Sequence, residues 1–223
     1  MKLRIGFLLF FIFCLAFAPP ALAGTAYDNG PANGNTDGWN IGSDFVVSDS
    51  MRCCKVSGDS PAAFGIITSF SAWFWETPGD HLLSAELSIT SGPDSGTSYF
   101  DHVMNFTQGS CFSNQYGFSV CQETTIFTGQ YSLYLSGGNY WINLQNAITA
   151  DGEPIYWDEN SGAGCNSPGC PSSAVQNMVG TIPSESFTLE DTGGGSTPEP
   201  GGLVLFGSGV VALAGGLRRK MTL

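Results

Sequence analysis

The 223-residue chain predicts an all-β fold, an antiparallel β-sandwich of jelly-roll kind. Three observations carry the prediction. Apolar and polar residues alternate with period two in several short stretches, Gly-rich turns separate those stretches at close spacing, and no convincing helical stretch interrupts them between the two ends of the chain. An immunoglobulin-like topology is the alternative arrangement of such strands. The lack of any repeat of roughly 20 to 50 residues argues against a solenoid or a propeller.

Taken in order, the chain opens with Lys2 and Arg4 before an apolar stretch from Ile5 to Ala18, a Pro19-Pro20 break, and Ala21-Leu22-Ala23 before Gly24. This is the pattern of a Sec signal helix over residues 1–23, with the small residues Ala21 and Ala23 and then Gly24 marking cleavage. Cys14 lies inside that stretch without the small residues of a lipoprotein signal, and leaves with it. One ectodomain is expected over 24–192, a length that makes a single core. Residues 193–197 (Gly-Gly-Gly-Ser-Thr) follow as a flexible tether.

Within the ectodomain, Trp73 and Trp75 share one face of a strand whose other face carries Ala72 and Phe74. From His81 to Thr90, Leu83, Ala85, Leu87 and Ile89 point one way, while Ser84, Glu86, Ser88 and Thr90 point the other, a core face and a wet face. Phe100, Met104 and Phe106 continue the theme, and then Tyr116, Phe118 and Val120. Turns are expected at Ser91-Gly92-Pro93-Asp94, Gln108-Gly109-Ser110 and Ser136-Gly137-Gly138-Asn139. In the strand from Tyr140 to Asn146, Tyr140, Ile142 and Leu144 face the core, leaving Trp141, Asn143 and Gln145 outside.

That outer row is the candidate carbohydrate-binding face. An exposed indole covers the apolar face of a sugar ring, and neutral amides bond to its hydroxyls. Trp73 and Trp75 are candidates to join Trp141, Asn143 and Gln145 in one platform, and core packing is the competing reading for each Trp. Calcium is the candidate cofactor, at Asp158, Glu159 and Asn160 or near Asp28, Asp37 and Asp44, without the fixed spacing of an EF-hand. No catalytic residues are assigned. His81 and His102 belong to no nucleophile or metal motif. Asp158 and Glu159 could supply a glycosidase pair only if both carboxyls converged, which neighbours on one strand do not.

Five of the seven Lys and Arg lie in the two end segments, which leaves Arg52 and Lys55 to offset an acidic domain in a chain of net charge −12. A nucleic-acid partner is thereby excluded, since polyanions are repelled. Outside the signal there are six cysteines, an even number for an oxidising compartment. Cys111 with Cys121 and Cys165 with Cys170 are expected as local disulfides. Cys53 and Cys54 are left to pair separately with distant cysteines, and zinc is the disfavoured alternative.

At the C-terminus, residues 198–223 run Pro198-Glu199-Pro200, an uncharged apolar segment from Gly201 to Leu217, then Arg218-Arg219-Lys220. As a helix the apolar segment reaches about 25 Å, near the lower limit for a membrane span. The basic end stays cytoplasmic by the positive-inside bias and leaves the ectodomain outside. This order of parts closely resembles the PEP-CTERM sorting signal of Gram-negative bacteria. The resemblance implies transient anchoring by a transmembrane helix, cleavage by an exosortase-type membrane peptidase, and association with extracellular polysaccharide at the cell surface. The same tail closes some ice-binding proteins, and a permanent membrane anchor is its other reading. Tyr27-Asp28-Asn29-Gly30-Pro31, Val47-Ser48-Asp49-Ser50, Trp75 with Pro78-Gly79-Asp80, and 156–162 (Tyr-Trp-Asp-Glu-Asn-Ser-Gly) resemble exported bacterial β-sandwich proteins that carry this tail, which implies a fold and no activity.

The sequence therefore describes an exported, surface-sorted, non-catalytic matrix or envelope protein with a carbohydrate-binding face. Ice binding is the alternative, although Thr is scattered rather than laddered, and glycoside hydrolysis is the least supported reading.

Overall fold

The computed structural model describes residues 24–53 and 65–192, apart from 163, 164, 166 and 168. The signal, the tether, the sorting tail and Cys54 lie outside the described residues. Fourteen strands run through the described part in chain order: β1 (Gly24–Asp28), β2 (Gly38–Asn40), β3 (Val46–Cys53), β4 (Gly65–Glu76), β5 (Leu82–Gly92), β6 (Ser95–Asn105), β7 (Thr107–Ser113), β8 (Ser119–Ile126), β9 (Leu133–Leu135), β10 (Gly138–Thr149), β11 (Tyr156–Asp158), β12 (Ala174–Gln176), β13 (Gly180–Ile182) and β14 (Phe187–Asp191).

They form two antiparallel sheets. In the first, β4 is the spine: β14 and β11 pair along one side of it, and β8 and β9 along the other. Beyond these lie β1 on β14, β2 on β11 and β7 on β8, with Gly24 directly opposite Asp191. The second sheet has the order β13-β12-β3-β10-β5-β6. The all-β, antiparallel expectation is met, in a sandwich-like arrangement of two sheets around one core.

The core follows from the alternation. Phe70, Ala72 and Phe74 of β4 turn inward with Trp157 and Phe187, and across from them stand Leu87, Ile89, Ile142 and Leu144 of the second sheet. Trp157 is fully buried, with its ring edge-on to Phe70 at 6.0 Å and tilted on Phe74 at 6.4 Å. Each fully buried large side chain contributes roughly 1.5–3 kcal/mol of transfer free energy.

Four local expectations are corrected. Leu83 is 43% exposed while Leu82 is buried. The register of β10 against β5 shifts between Gln145 and Thr149, with Asn146 at φ +51°, and one extra residue exchanges the two faces. Gln108-Gly109-Ser110 is a bulge inside β7 rather than a turn. A Cβ at Gly109 would stand 3.2 Å from the Gln122 carbonyl, so glycine here permits close approach of two strands. Ser88 and Thr90, expected on a wet face, are buried under the β5–β6 turn, whose Asp94 N–H reaches Asn143. Tyr116 and Phe118 lie in the β7–β8 connection, outside any strand, and of the three only Val120 lies in a strand, β8.

Candidate functional site

The outer face of the first sheet is built on two tryptophans of β4. Period two turns Trp73 and Trp75 away from the core, as expected, and the β7–β8 hairpin folds over them. Phe112 packs on Trp73 with ring centroids 5.8 Å apart. Tyr116 stacks on Trp75 at 5.6 Å and 24°, and Phe118 lies 5.8 Å from Trp75 and 5.9 Å from Tyr156. The Cys111–Cys121 disulfide ties the two arms of this hairpin.

A second loop, 33–37, fixes the hairpin from the side. Tyr116 donates its hydroxyl, and Gln115 its amide, to the Asn35 carbonyl at 3.2 and 3.3 Å. Gly34 adopts φ +67° and passes so close to Phe112 that a Cβ there would lie 2.6 Å from its ring. The loop is anchored in turn by Asp158, which accepts the Asn33 and Gly34 N–H groups at 2.8 and 3.0 Å and the Trp75 indole N–H. Burial pushes the Asp158 carboxyl up to about 7, against the pull of those three donors.

The result is an aromatic face with an amide border. Phe112 is 42% exposed and Tyr116 56%, Trp73 and Tyr156 are half-buried, and Asn35, Gln115 and Gln122 stand around them. Trp75 is buried beneath Tyr116 and serves as the floor of the patch. Phe112, Tyr116 and Phe118 went unassigned as site residues because they lie in a hairpin whose fold-back no alternation encodes. Their signal is the Cys-x9-Cys spacing that closes the hairpin.

Trp141 does not join this face. It belongs to β10 in the second sheet, half-buried between Ser50 and Thr90. Beside it Asn143 is buried and its amide is committed: it donates to Ser88 Oγ at 3.0 Å and Thr90 Oγ1 at 2.8 Å and accepts the Asp94 N–H at 2.9 Å. Gln145 is half-buried opposite Glu86. The expected single platform of Trp73, Trp75 and Trp141 is therefore two separate faces, because β4 and β10 belong to different sheets.

Asp158, Glu159 and Asn160, the calcium candidates, alternate in direction along the chain. Asp158 holds the loop just described, Glu159 forms a backbone β-bridge with Glu185, and Asn160 donates to the Asn29 carbonyl and Ser184 Oγ while accepting the Gly162 N–H. Of the other candidates, Asp28 ends β1 and accepts the Gly30 N–H, Asp37 accepts the Gly38 N–H, and Asp44 takes a positive φ of 70° in the turn before β3. Among the described residues, no group of three or more His, Cys, Asp or Glu is arranged to hold a metal ion.

Beneath that segment lies an acid network that the sequence reading did not single out. Asp49 is fully buried and accepts bonds from Ser172 Oγ, from Ser184 Oγ at 3.3 Å, from Asn29 Nδ2 at 3.3 Å and from the Glu185 N–H at 2.6 Å. Burial pushes its carboxyl up to about 8. Glu185, also fully buried, is held well above the usual carboxylate range by burial and then by the nearby Asp49. A shallow pocket of about 430 Å³ lined by Asn160, Ser172, Thr181, Pro183 and Ser184 opens above them. Parity could have exposed Asp49, since it shares the inward positions of Val47 and Met51 in β3.

The two expected local disulfides, Cys111–Cys121 and Cys165–Cys170, are formed. Cys53 is disulfide-bonded as well. Comparison with family models, with curated proteins and with solved structures returns no match for this chain.

Proposed function

We propose that this is an exported, surface-sorted, non-catalytic protein that binds neutral polysaccharide of the extracellular matrix through the aromatic face of its first sheet. The observation that carries the reading is the patch of Phe112, Tyr116, Trp73 and Tyr156 with Asn35, Gln115 and Gln122 at its edge. Flat rings cover the C–H faces of sugars, amides bond to hydroxyls without charge, and the site's floor is rigid because Trp75, Asp158 and the 33–37 loop lock one another. The acidic balance of the chain supports a neutral polymer over a polyanion.

In this reading the sandwich is of jelly-roll kind, the signal peptide exports it, and the PEP-CTERM-like tail delivers it to an exosortase-type peptidase at the membrane. The test is a pull-down of the purified full chain on a panel of neutral polysaccharides, the producing cell's own polymer included. Tyr116→Ala and Phe112→Ala are expected to lower retention about tenfold each while Trp141→Ala leaves it unchanged. Equal retention of all four proteins, or none by the wild type on any polymer, would overturn the proposal.

A further inference from the structure

Just past the end of β1, Asn29 is fully buried and its side-chain amide is held on every side. Its Oδ1 accepts the Tyr27 hydroxyl at 3.1 Å and the Ser172 N–H at 3.2 Å, two donors converging on one carbonyl oxygen. Its Nδ2 faces four oxygens: Ser172 Oγ at 2.7 Å, Ser184 Oγ at 2.8 Å, the Glu185 carbonyl at 2.6 Å and Asp49 Oδ2 at 3.3 Å. That is more than the two hydrogens of a primary amide can serve along their axes. Ser172 in turn donates its hydroxyl to Asp49 Oδ1. A hydroxyl, a carboxyl that receives its proton and a polarised carbonyl thus stand together, the parts that acyl transfer requires.

The distances and the donors suit the reaction. Ser172 Oγ lies no more than about 4 Å from the Asn29 side-chain carbonyl carbon, because the C–N bond adds only about 1.33 Å to its distance from Nδ2. A small χ1 rotation of Ser172 closes this to the near-attack range of roughly 3–3.5 Å. Burial first, and then the nearby Asp49, raise the Tyr27 hydroxyl well above its usual range, so it stays a donor. Burial also raises Asp49 to about 8, within the range where a carboxyl both takes and returns a proton near neutral pH. The usual nucleophile at an Asn-Gly pair is the following backbone nitrogen, and here it is engaged elsewhere: the Gly30 N–H donates to Asp28 Oδ1 at 2.9 Å.

We infer that Asn29 and Ser172 join through an autocatalytic ester, a covalent staple between the two sheets. Ser172 Oγ bonds to the Asn29 side-chain carbonyl carbon as its proton passes to Asp49 Oδ1, and the Tyr27 hydroxyl and the Ser172 N–H hold the charge that gathers on Asn29 Oδ1. The C–Nδ2 bond then breaks. The nitrogen keeps the electron pair and takes the proton that Asp49 returns from Oδ2, which faces it. Amide and alcohol become ester and ammonia, with no oxidant, reductant or other co-reactant. Ammonia leaves through the pocket that Ser172 and Ser184 line. The link spans 143 positions and fastens the end of β1, in the first sheet, to the segment before β12, in the second. Closing so long a loop restricts the unfolded chain more than a local disulfide does. The staple stands whatever the aromatic face binds.

Trypsin provides the test, since Arg52 and Lys55 are the Lys and Arg between Gly24 and Leu217. The purified full chain is denatured, reduced and digested, so that no disulfide survives. The piece ending at Arg52 is expected to remain joined to the piece beginning at Val56, with a mass one ammonia below their sum, and mild alkali is expected to part them. Tandem mass spectrometry is expected to place the bond on Asn29 and Ser172. Ser172→Ala removes the nucleophile and Asn29→Asp the amide, and in either variant the two pieces are expected to separate. Separate pieces from the wild type, whether Asn29 is intact, cyclised on Gly30 or deamidated, overturn the staple. A bond on Ser184, or a link that persists in Ser172→Ala, overturns it as well.

Discussion

Gly34 shows how one residue ties two loops into a face. Its positive φ strains any other side chain, and a methyl group there would meet the Phe112 ring at 2.6 Å. Gly34→Ala is expected to destabilise the protein by about 1–3 kcal/mol and to displace Phe112, read as a lower thermal midpoint together with weaker polysaccharide retention. Tyr116→Ala should separate those two readouts. More than half exposed, it is expected to change stability by about 0.5 kcal/mol or little more, so its loss of retention would report contact with the polymer. Trp157 marks the opposite extreme, since Trp157→Ala opens a cavity among Phe70, Phe74 and Phe187 and is expected to cost about 3–5 kcal/mol, measured by chemical denaturation.

At the scale of the element, the β7–β8 hairpin is held by a disulfide, by Gln108 on Glu76 and by two bonds to the Asn35 carbonyl. Replacing Cys111 and Cys121 with Ser together is expected to cost up to about 3 kcal/mol and to raise exchange in the hairpin before the rest of the molecule, as mass spectrometry of partly exchanged protein would show. Strand parity was legible wherever a strand ran straight: the inward set of Ala85, Leu87 and Ile89, the outward pair of Trp73 and Trp75, and the split of Tyr140, Ile142 and Leu144 from Trp141. It failed at Leu83 and at Gln108-Gly109-Ser110, where bulges add a residue that hydropathy does not register. The partition of strands between two sheets was not legible either, because alternation says which way a side chain points and not which strand lies alongside. That is why Trp141 was grouped with Trp73 and Trp75. The buried acids, by contrast, were present in the pattern at inward positions and were passed over because carboxylates are seldom buried.

For the molecule as a whole, Asp49, Glu123 and Asp158 are raised to about 8, 8 and 7, and Glu185 well above its usual range, each first by burial. The sign follows from proton linkage. Groups that hold protons more tightly when folded contribute stability that is complete below their unfolded values and is lost as pH rises through the folded ones. The protein is therefore expected to be most stable near about pH 4 to 5 and to lose stability steadily toward about pH 8, a trend to be read from thermal midpoints across that range. Asp80, lowered by its backbone donors, opposes the trend weakly. Asp49→Asn, which removes one of the carboxyls that burial raises, is expected to flatten part of the slope.

The first strand of the domain pairs with the last, and the spine β4 takes its partners from strands that begin at Ser119 or later. A chain wired this way cannot close its first sheet until its final residues have emerged. Contacts of such long sequence separation make folding slow, on the order of milliseconds to seconds for small β-domains. Under the proposed export, in which the chain is threaded unfolded through a translocation channel, that delay would keep the first sheet open until residues 187–191 arrive.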